Sequence, residues 1–335
     1  MNDAATPTPM QTVAVIRADD FRVTEGVAEG EGITFADELV MDDVFQLSQS
    51  AARIPLSLAL REDEAGFSIE EASGLGKPGN VIYLDSCLTM MGNDSTTYEI
   101  IVLVEVEDGA LEATYLLPLA VLSPDTNYRL VGIDREAAVT RFAEVACVSF
   151  TRGTHITMAS GEQRPIEDIA VGDKVLTRDD GPQAIRWIGE TTLRAVGEFA
   201  PVVITQGALH NENDLVVSPD HRLFVYQRED KLGAGRSEIL VKVRHLINGT
   251  SVYQRDGGFV DYFQLLFDDH QIIYAEGIAA ESLLIDPRTR AALPDAIRSG
   301  ARETHAHRPH LDYEVQEKLA AQPDAVELLR KASST

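Results

Sequence analysis

The stretch SFTRGT at residues 149–154 marks the point at which the predicted secondary structure of this 335-residue chain changes. From here to about residue 284, short β-type runs alternate with turn signals such as DDGP at residues 179–182. Almost no helix is predicted in this region. Many short strands separated by frequent turns are typical of a compact antiparallel domain. The pattern therefore predicts an all-β domain over residues 147–285.

Upstream of this stretch, residues 12–140 are also predicted to be mainly β. The runs Ile100–Val104 and Thr114–Leu117 flank a turn signal at Glu107–Gly109, and we expect them to pair. Apolar strands at this spacing predict a sandwich or a small barrel. Residues 1–146 are therefore interpreted as a mainly β domain, and none of its residues indicates a function.

The third region, residues 286–335, differs from both. The run Tyr313–Lys331 has helix-favouring residues with apolar side chains three or four positions apart, which predicts one or two helices. The predicted fold class is therefore mainly β: an N-terminal β domain, then an all-β domain, then a short helical tail that either packs back or extends freely.

Acidic residues outnumber basic ones by 54 to 29, and most of the excess lies in the first domain. Residues 1–146 contain 26 acidic and 8 basic side chains, a net charge of −18. Such a surface repels phosphate backbones and anionic headgroups, so neither nucleic acid nor a membrane is an expected partner. We also expect no membrane span, because no apolar run approaches about 18 residues.

The N-terminus has no basic region followed by an apolar one, so we expect either a cytoplasmic protein or export without a Sec signal peptide. The two cysteines, Cys87 and Cys147, lie in different predicted domains, which argues against a structural disulfide and a thiolate zinc site. His305, His307 and His310 are a weaker metal candidate, since their stretch is polar and has no cysteine. No cofactor is expected.

Three segments follow one another along the all-β domain. The first is SFTRGT with GDKVL at residues 172–176, the second is SPDH at residues 218–221, and the third is DDHQII at residues 268–273. In this order and at these spacings they resemble the Hint family of inteins and Hedgehog C-terminal domains, and are most similar to its bacterial branch. The resemblance covers about residues 147–285 and implies an all-β horseshoe of hairpins.

The resemblance also implies a chemistry, an N-to-O or N-to-S acyl shift. In this reaction the side chain of the domain's first residue attacks the carbonyl just upstream. The register of the first segment assigns Ser149 to that position, with attack on the carbonyl of Val148. An alternative register uses Cys147, the better nucleophile, and cuts after Ala146. A third interpretation leaves Cys147 as a buried structural thiol.

The second and third segments supply the other candidate residues. Pro219 favours an extended Ser218 and a turn after it, so the side chains of Ser218 and His221 should lie close together. A histidine with a pKa of about 6.5 can carry a proton to the leaving nitrogen at neutral pH. The family usually has threonine where this chain has Ser218, and serine keeps the hydroxyl. The resemblance also implies a role for His270 near the end of the domain.

The sequence at the end of the domain limits which reaction we expect. Splicing needs a terminal asparagine followed by Cys, Ser or Thr, and the sequence SLLIDP at residues 282–287 lacks it. We therefore predict cleavage near Val148 and Ser149 without splicing, with the N-terminal domain as the substrate in cis and a small nucleophile or a protein as the acyl acceptor.

Two other functions stay open. The serine at position 149 is compatible with a non-catalytic Hint fold that serves as a binding or structural module. An ordinary hydrolase that uses Ser149 or Ser218 with a histidine ranks last, because the chain has no Gly-x-Ser-x-Gly elbow.

Overall fold

A computed structural model describes residues 10–61, 66–71, 73–147, 149–228, 230, 233, 235–285, 289, 293 and 324–333. The chain divides into two compact units, Met1–Glu144 and Val145–Thr335. Helix α1, Ala137–Ala146, spans the boundary between them. None of the described helices is long and apolar enough to cross a membrane.

The first unit contains nine strands joined in one antiparallel sheet. They are β1 Met10–Arg17, β2 Phe21–Glu25, β3 Val44–Leu47, β4 Ile54–Leu60, β5 Phe67–Ile69, β6 Val81–Met91, β7 Thr97–Glu107, β8 Ala110–Pro118 and β9 Asn127–Asp134. Their order is β2-β3-β9-β6-β5-β4-β1-β8-β7, and β7 also pairs with β6. This last pairing closes six strands into a ring, so the sheet forms a small barrel with β9, β3 and β2 extending from it.

The predicted hairpin of this unit is confirmed. Strands β7 and β8 pair along their length, from Ile100 opposite Pro118 to Glu107 opposite Ala110. Asp108 and Gly109 connect them with φ values of 51° and 81°. A two-residue turn with both φ values positive matches the twist of an antiparallel pair, which is why an Asp-Gly sequence favours a hairpin.

The second unit is built from fourteen described strands. They are β10 Phe150–Thr151, β11 His155–Thr157, β12 Gln163–Pro165, β13 Lys174–Leu176, β14 Pro182–Ala184, β15 Trp187–Arg194, β16 Val202–Ile204, β17 Leu215–Val217, β18 Arg222–Tyr226, β19 Glu238–Lys242, β20 Val252–Gln254, β21 Phe259–Leu266, β22 Ile272–Ala275 and β23 Ile278–Glu281. One six-stranded sheet has the order β15-β21-β10-β17-β16-β20, and another has the order β12-β11-β22-β23-β18-β19. Strands β13 and β14 form a separate hairpin.

A single apolar core joins these two sheets. Phe150 and Val217 enter it from the first sheet, and Ile156, Leu223 and Ile273 enter it from the second. Alternate side chains of a strand point to one face, so each sheet can present apolar residues to the other. The mainly β fold class predicted from the sequence is confirmed.

The helical tail is confirmed over helix α2, Ala325–Ser333, and its apolar side packs back against the second unit. Val326 and Leu329 are 6% and 0% exposed, and both belong to the core that the two sheets share. The Nε2 atom of His210 lies 2.9 Å from the carbonyl oxygen of Arg330 on the same helix. The part of the predicted tail helix before residue 324 lies outside the described residues.

Candidate functional site

Ser149 immediately precedes the short strand β10, which is an inner strand of the sheet β15-β21-β10-β17-β16-β20. The next residue, Phe150, is opposite Val217 of β17 on one side and Phe263 of β21 on the other. The Phe150 ring is 1% exposed and Ser149 is 4% exposed. An apolar anchor immediately after Ser149 therefore holds this residue inside the domain and not on a surface loop.

The backbone of Ser149 is hydrogen-bonded at both of its polar atoms. Its amide N–H donates to the hydroxyl oxygen of Ser218 at 3.0 Å. Its carbonyl oxygen accepts from the amide N–H of Ser218 at 2.9 Å and lies 3.2 Å from Nδ1 of His221. The Ser218 hydroxyl in turn donates to the carbonyl oxygen of Cys147 at 3.3 Å. Ser218 thus contacts the chain on both sides of the Val148–Ser149 peptide bond.

The segment 218–221 forms the turn that its proline favours. The His221 amide donates to the Ser218 carbonyl at 3.0 Å, and the Arg244 amide donates to the Pro219 carbonyl at 2.9 Å. The Arg244 guanidinium also donates to the Asp220 carboxylate at 2.7 Å. Burial would raise the pKa of Asp220, but the charge of Arg244 and other nearby cations lowers it below its usual value. Arg244 therefore fixes the turn through backbone and side chain together.

His221 is fully buried, with its ring centroid 4.4 Å from that of Phe150. Burial is the main cause that lowers the pKa of His221 to about 4, and the charge of Arg222 acts in the same direction. The carboxylate of Glu281 and the hydrogen bond to Ser149 oppose this shift only in part. His221 is therefore neutral at pH 7, and with a proton on Nδ1 it donates to the Ser149 carbonyl.

The Ser149 hydroxyl has a partner that the sequence analysis missed. The side-chain amide of Gln264, in β21, donates to Ser149 Oγ at 3.2 Å. The signal was weak, since Gln264 is a single polar residue within the mostly apolar run Tyr262–Phe267. The bond fixes the position of the hydroxyl oxygen, because the glutamine amide occupies one of its lone pairs.

Cys147 lies in a different environment from Ser149. Its side chain is 1% exposed and belongs to an apolar cluster with Leu266, Leu283 and Ile285. Apolar surroundings disfavour the thiolate, which is the nucleophilic form of cysteine. The carbonyl oxygen of Cys147, in contrast, lies in the hydrogen-bonded group around Ser149.

His270 is connected to the site through a buried carboxylate that the sequence analysis also missed. Its Nε2 atom lies 3.1 Å from Oε1 of Glu281, and the Arg222 guanidinium donates to Oε2 of the same residue at 3.1 Å. Burial raises the pKa of Glu281, but Arg222 and His270 outweigh it and hold that pKa far below the usual range. Arg222 directly follows His221, so these groups extend the site across the second sheet.

In the part of the chain that the structure describes, no group of three or more His, Cys, Asp or Glu side chains could hold a metal ion. The tail histidines His305, His307 and His310 lie outside that part.

The observed arrangement around Ser149 supports acyl chemistry at one peptide bond: a buried hydroxyl, a hydrogen-bonded amide nitrogen, and a turn that fixes both.

Comparison with known proteins identifies a domain within the second unit. Residues 148–287 match the sequence model of the Hint domain family, so this region is a Hint domain, a member of a family of self-processing and splicing-type domains. No curated protein sequence matches the chain.

Among solved structures, the chain is similar to the gp41-1 intein, with 14% identity over 40% of this chain and 97% of the other, at a TM-score of 0.25. It is similar to a variant of the Ssp DnaB mini-intein, with 10% identity over 42% and 96%, at a TM-score of 0.27. It is also similar to the MchDnaB-1 intein, with 14% identity over 40% and 98%, at a TM-score of 0.27.

Proposed function

We propose that the Hint domain of this chain cuts its own backbone between Val148 and Ser149 by an N-to-O acyl shift, without splicing. The observation that carries the proposal is the hydrogen bond from the Ser149 amide to the Ser218 hydroxyl at 3.0 Å. The nitrogen of that amide is the leaving group of the reaction, and it is buried next to a hydroxyl that both accepts and donates protons.

The proposed step balances within the chain. Ser149 Oγ bonds to the carbonyl carbon of Val148 and releases its proton, and the bond from that carbon to the Ser149 nitrogen breaks. The nitrogen takes up a proton, so the products are an ester at Oγ and a free amine. Water or another nucleophile then cleaves the ester, which releases residues 1–148 from residues 149–335. The N-terminal domain is thus the substrate in cis.

Three residues around Ser149 have a part in this step. Ser218 contacts the leaving nitrogen and can pass a proton to it, because a hydroxyl both donates and accepts. His221 contacts the Ser149 carbonyl oxygen and orients the residue that attacks. Gln264 holds the attacking oxygen at 3.2 Å. A fixed geometry of this kind lowers the entropic part of the barrier.

The surroundings of the two candidate nucleophiles favour Ser149 over Cys147. Ser149 has its amide, carbonyl and hydroxyl all hydrogen-bonded by residues of the proposed site. The Cys147 side chain lies among apolar residues that disfavour a thiolate. We therefore propose Cys147 as a packing residue whose carbonyl helps to hold Ser218.

The mass of the purified full-length chain tests the proposal. The chain is incubated at several pH values with and without hydroxylamine, which cleaves esters, and the products are measured by intact-mass spectrometry. We expect fragments ending at Val148 and beginning at Ser149, faster with hydroxylamine. We expect Cys147→Ala to cut like the parent and Ser149→Ala to stay whole.

Two results would contradict the proposal. One is a single full-length species under every condition, and the other is cutting of Ser149→Ala at the parent rate. If Cys147→Ala stays whole while Ser149→Ala is cut, the reaction uses the thiol of Cys147 and the assignment of Ser149 is wrong.

A non-catalytic Hint module is the second candidate function. It is favoured by the low pKa of His221, about 4, which leaves the His221 ring uncharged at neutral pH. In this case the chain stays whole in the mass measurement, and Ser149→Ala and His221→Ala keep whatever binding the intact chain shows. The same measurement thus separates the two functions.

A further inference from the structure

Glu281 occupies a position in the second sheet that links two of the sequence motifs. Strand β23 lies between β22 and β18, with Glu281 opposite Ile272 in β22. On the other side, Ala280 is opposite Leu223, so Glu281 is next to the position of Arg222. The end of β23 therefore joins the His270 segment to the turn that carries His221.

Glu281 is 0% exposed, so its carboxylate is a buried charge that requires compensation. Removing an isolated charge from water is costly, and partners must compensate for it. Oε2 accepts a hydrogen bond from Arg222 at 3.1 Å, and Oε1 lies at ion-pair distance, 3.1 Å, from His270 Nε2. Both partners belong to segments that contain candidate site residues.

The effect of Glu281 reaches His221 in two ways. Its carboxylate holds Arg222, which directly follows His221 in the chain. Its charge also favours the positively charged, doubly protonated form of the His221 ring, while burial and Arg222 disfavour that form. Loss of the Glu281 charge would remove this ion pair from Arg222, which is next to the ring that contacts the Ser149 carbonyl.

We propose that Glu281 is a positioning residue for self-cleavage: it fixes Arg222 and His221 against Ser149, and it links His270 to the site. This inference rests on the proposed function and adds a residue that lies outside the three sequence motifs. Glu281 contacts none of the reacting atoms in the proposed step, so its effect on the reaction passes through His221.

The chain offers a matched control in Glu276, the other buried glutamate of the same hairpin. Glu276 is 2% exposed, and it also has a histidine partner, with Oε1 2.9 Å from Nδ1 of His155. Its second oxygen accepts from Asn213 at 2.8 Å. It lies at the turn between β22 and β23, at the opposite end of β23 from Glu281.

The experiment compares Glu281→Gln and Glu276→Gln in the full chain. We expect both to lower the midpoint of urea unfolding, because each loses a buried carboxylate with several partners. We expect Glu281→Gln to slow cleavage about tenfold or more, while Glu276→Gln cleaves at about the parent rate. In the Ser149→Ala background, NMR of the imidazole nitrogens should show a lower titration midpoint for His221 with Glu281→Gln and no change with Glu276→Gln.

A double variant covers the case in which Glu281→Gln does not fold. Arg222→Met with Glu281→Met removes both charges, a replacement that often leaves stability unchanged. We expect this variant to fold and to cleave about tenfold more slowly than the parent. Cleavage at the parent rate in either Glu281 variant would overturn the inference while leaving self-cleavage intact. A parent chain that never cleaves, with the NMR shift still present, would overturn self-cleavage and leave Glu281 as a residue that only orients His221.

Discussion

Replacement of Ser218 by alanine tests the contact on which the proposed reaction depends. The side chain is 8% exposed, accepts from the Ser149 amide at 3.0 Å and donates to the Cys147 carbonyl at 3.3 Å. Alanine removes both bonds and leaves a buried N–H and a buried C=O that each had the hydroxyl as a partner. We therefore expect effects on stability and on the reaction, which must be measured apart.

The size of both effects follows from the lost hydrogen bonds. A buried donor left without its partner costs about 1–3 kcal/mol, so we expect Ser218→Ala to lower the free energy of unfolding by that amount. If the bond to the nitrogen persists or strengthens as the C–N bond breaks, a similar loss applies to the transition state. About 1.4 kcal/mol corresponds to a tenfold change in rate, so cleavage should slow by about 10- to 100-fold.

Two assays separate the effects. Urea unfolding of Ser149→Ala and Ser149→Ala/Ser218→Ala gives the stability change in chains that do not cleave. The time course of cleavage of the parent and of Ser218→Ala, under conditions in which both are folded, gives the rate change. Ser218→Thr is the control, since it keeps the hydroxyl and should cleave at about the parent rate.

The reasoning would be refuted by an unchanged cleavage rate in a folded Ser218→Ala chain. That result would mean that the bond from Ser149 to Ser218 is structural and takes no part in the transfer. An equal loss of rate in Ser218→Thr and Ser218→Ala would also refute it, because the hydroxyl would then not be the group that matters.

Three other predictions follow from the same contacts. The pKa of His221 falls from about 6.5 in the unfolded chain to about 4 in the folded protein. The neutral ring therefore stabilises the fold above pH 6.5, and this contribution is lost as the pH falls to 4. The loss amounts to about 3 kcal/mol of unfolding free energy. Urea unfolding at several pH values should show that the loss over this interval is smaller in His221→Gln; equal losses would contradict the assignment. Leu329→Ala, on the buried face of α2, should lower the free energy of unfolding by about 2–5 kcal/mol. The control Lys331→Ala, on the exposed face of the same helix, should change that free energy by less than about 0.5 kcal/mol. Similar values for the two variants would show that the helix does not contribute to the core. Gln264→Ala should slow cleavage about fivefold through loss of the bond to the Ser149 hydroxyl, measured by the same time course, and an unchanged rate would exclude that role.

The local features of the fold could be predicted because they depend on neighbouring residues. The Asp108-Gly109 turn needs two positive φ values, and its sequence favours them. The turn at residues 218–221 follows from Pro219, which restricts the residue before it as well as itself.

The residues that surround Ser149 could not be predicted in the same way, because the sheet brings them from distant parts of the chain. Gln264 is 115 positions from Ser149, and Glu281 is 59 positions from Arg222. Which of several polar residues in a strand faces the site depends on strand register, and a shift of one residue reverses it. A buried glutamate and a solvated one look alike in the sequence.

The sequence by itself determined that residues 147–285 contain the ordered motifs of a Hint domain, that the fold is mainly β and that residues 313–331 contain a helix. Only the tertiary structure decided which groups meet: Ser218 with the Ser149 amide, Gln264 with its hydroxyl, and Glu281 with Arg222 and His270. The physical reason is that turns and periodic strands arise from interactions between near neighbours. The site, in contrast, depends on pairing between strands and on burial. Strand pairing sets the distances between the site residues, and burial sets the charge of His221.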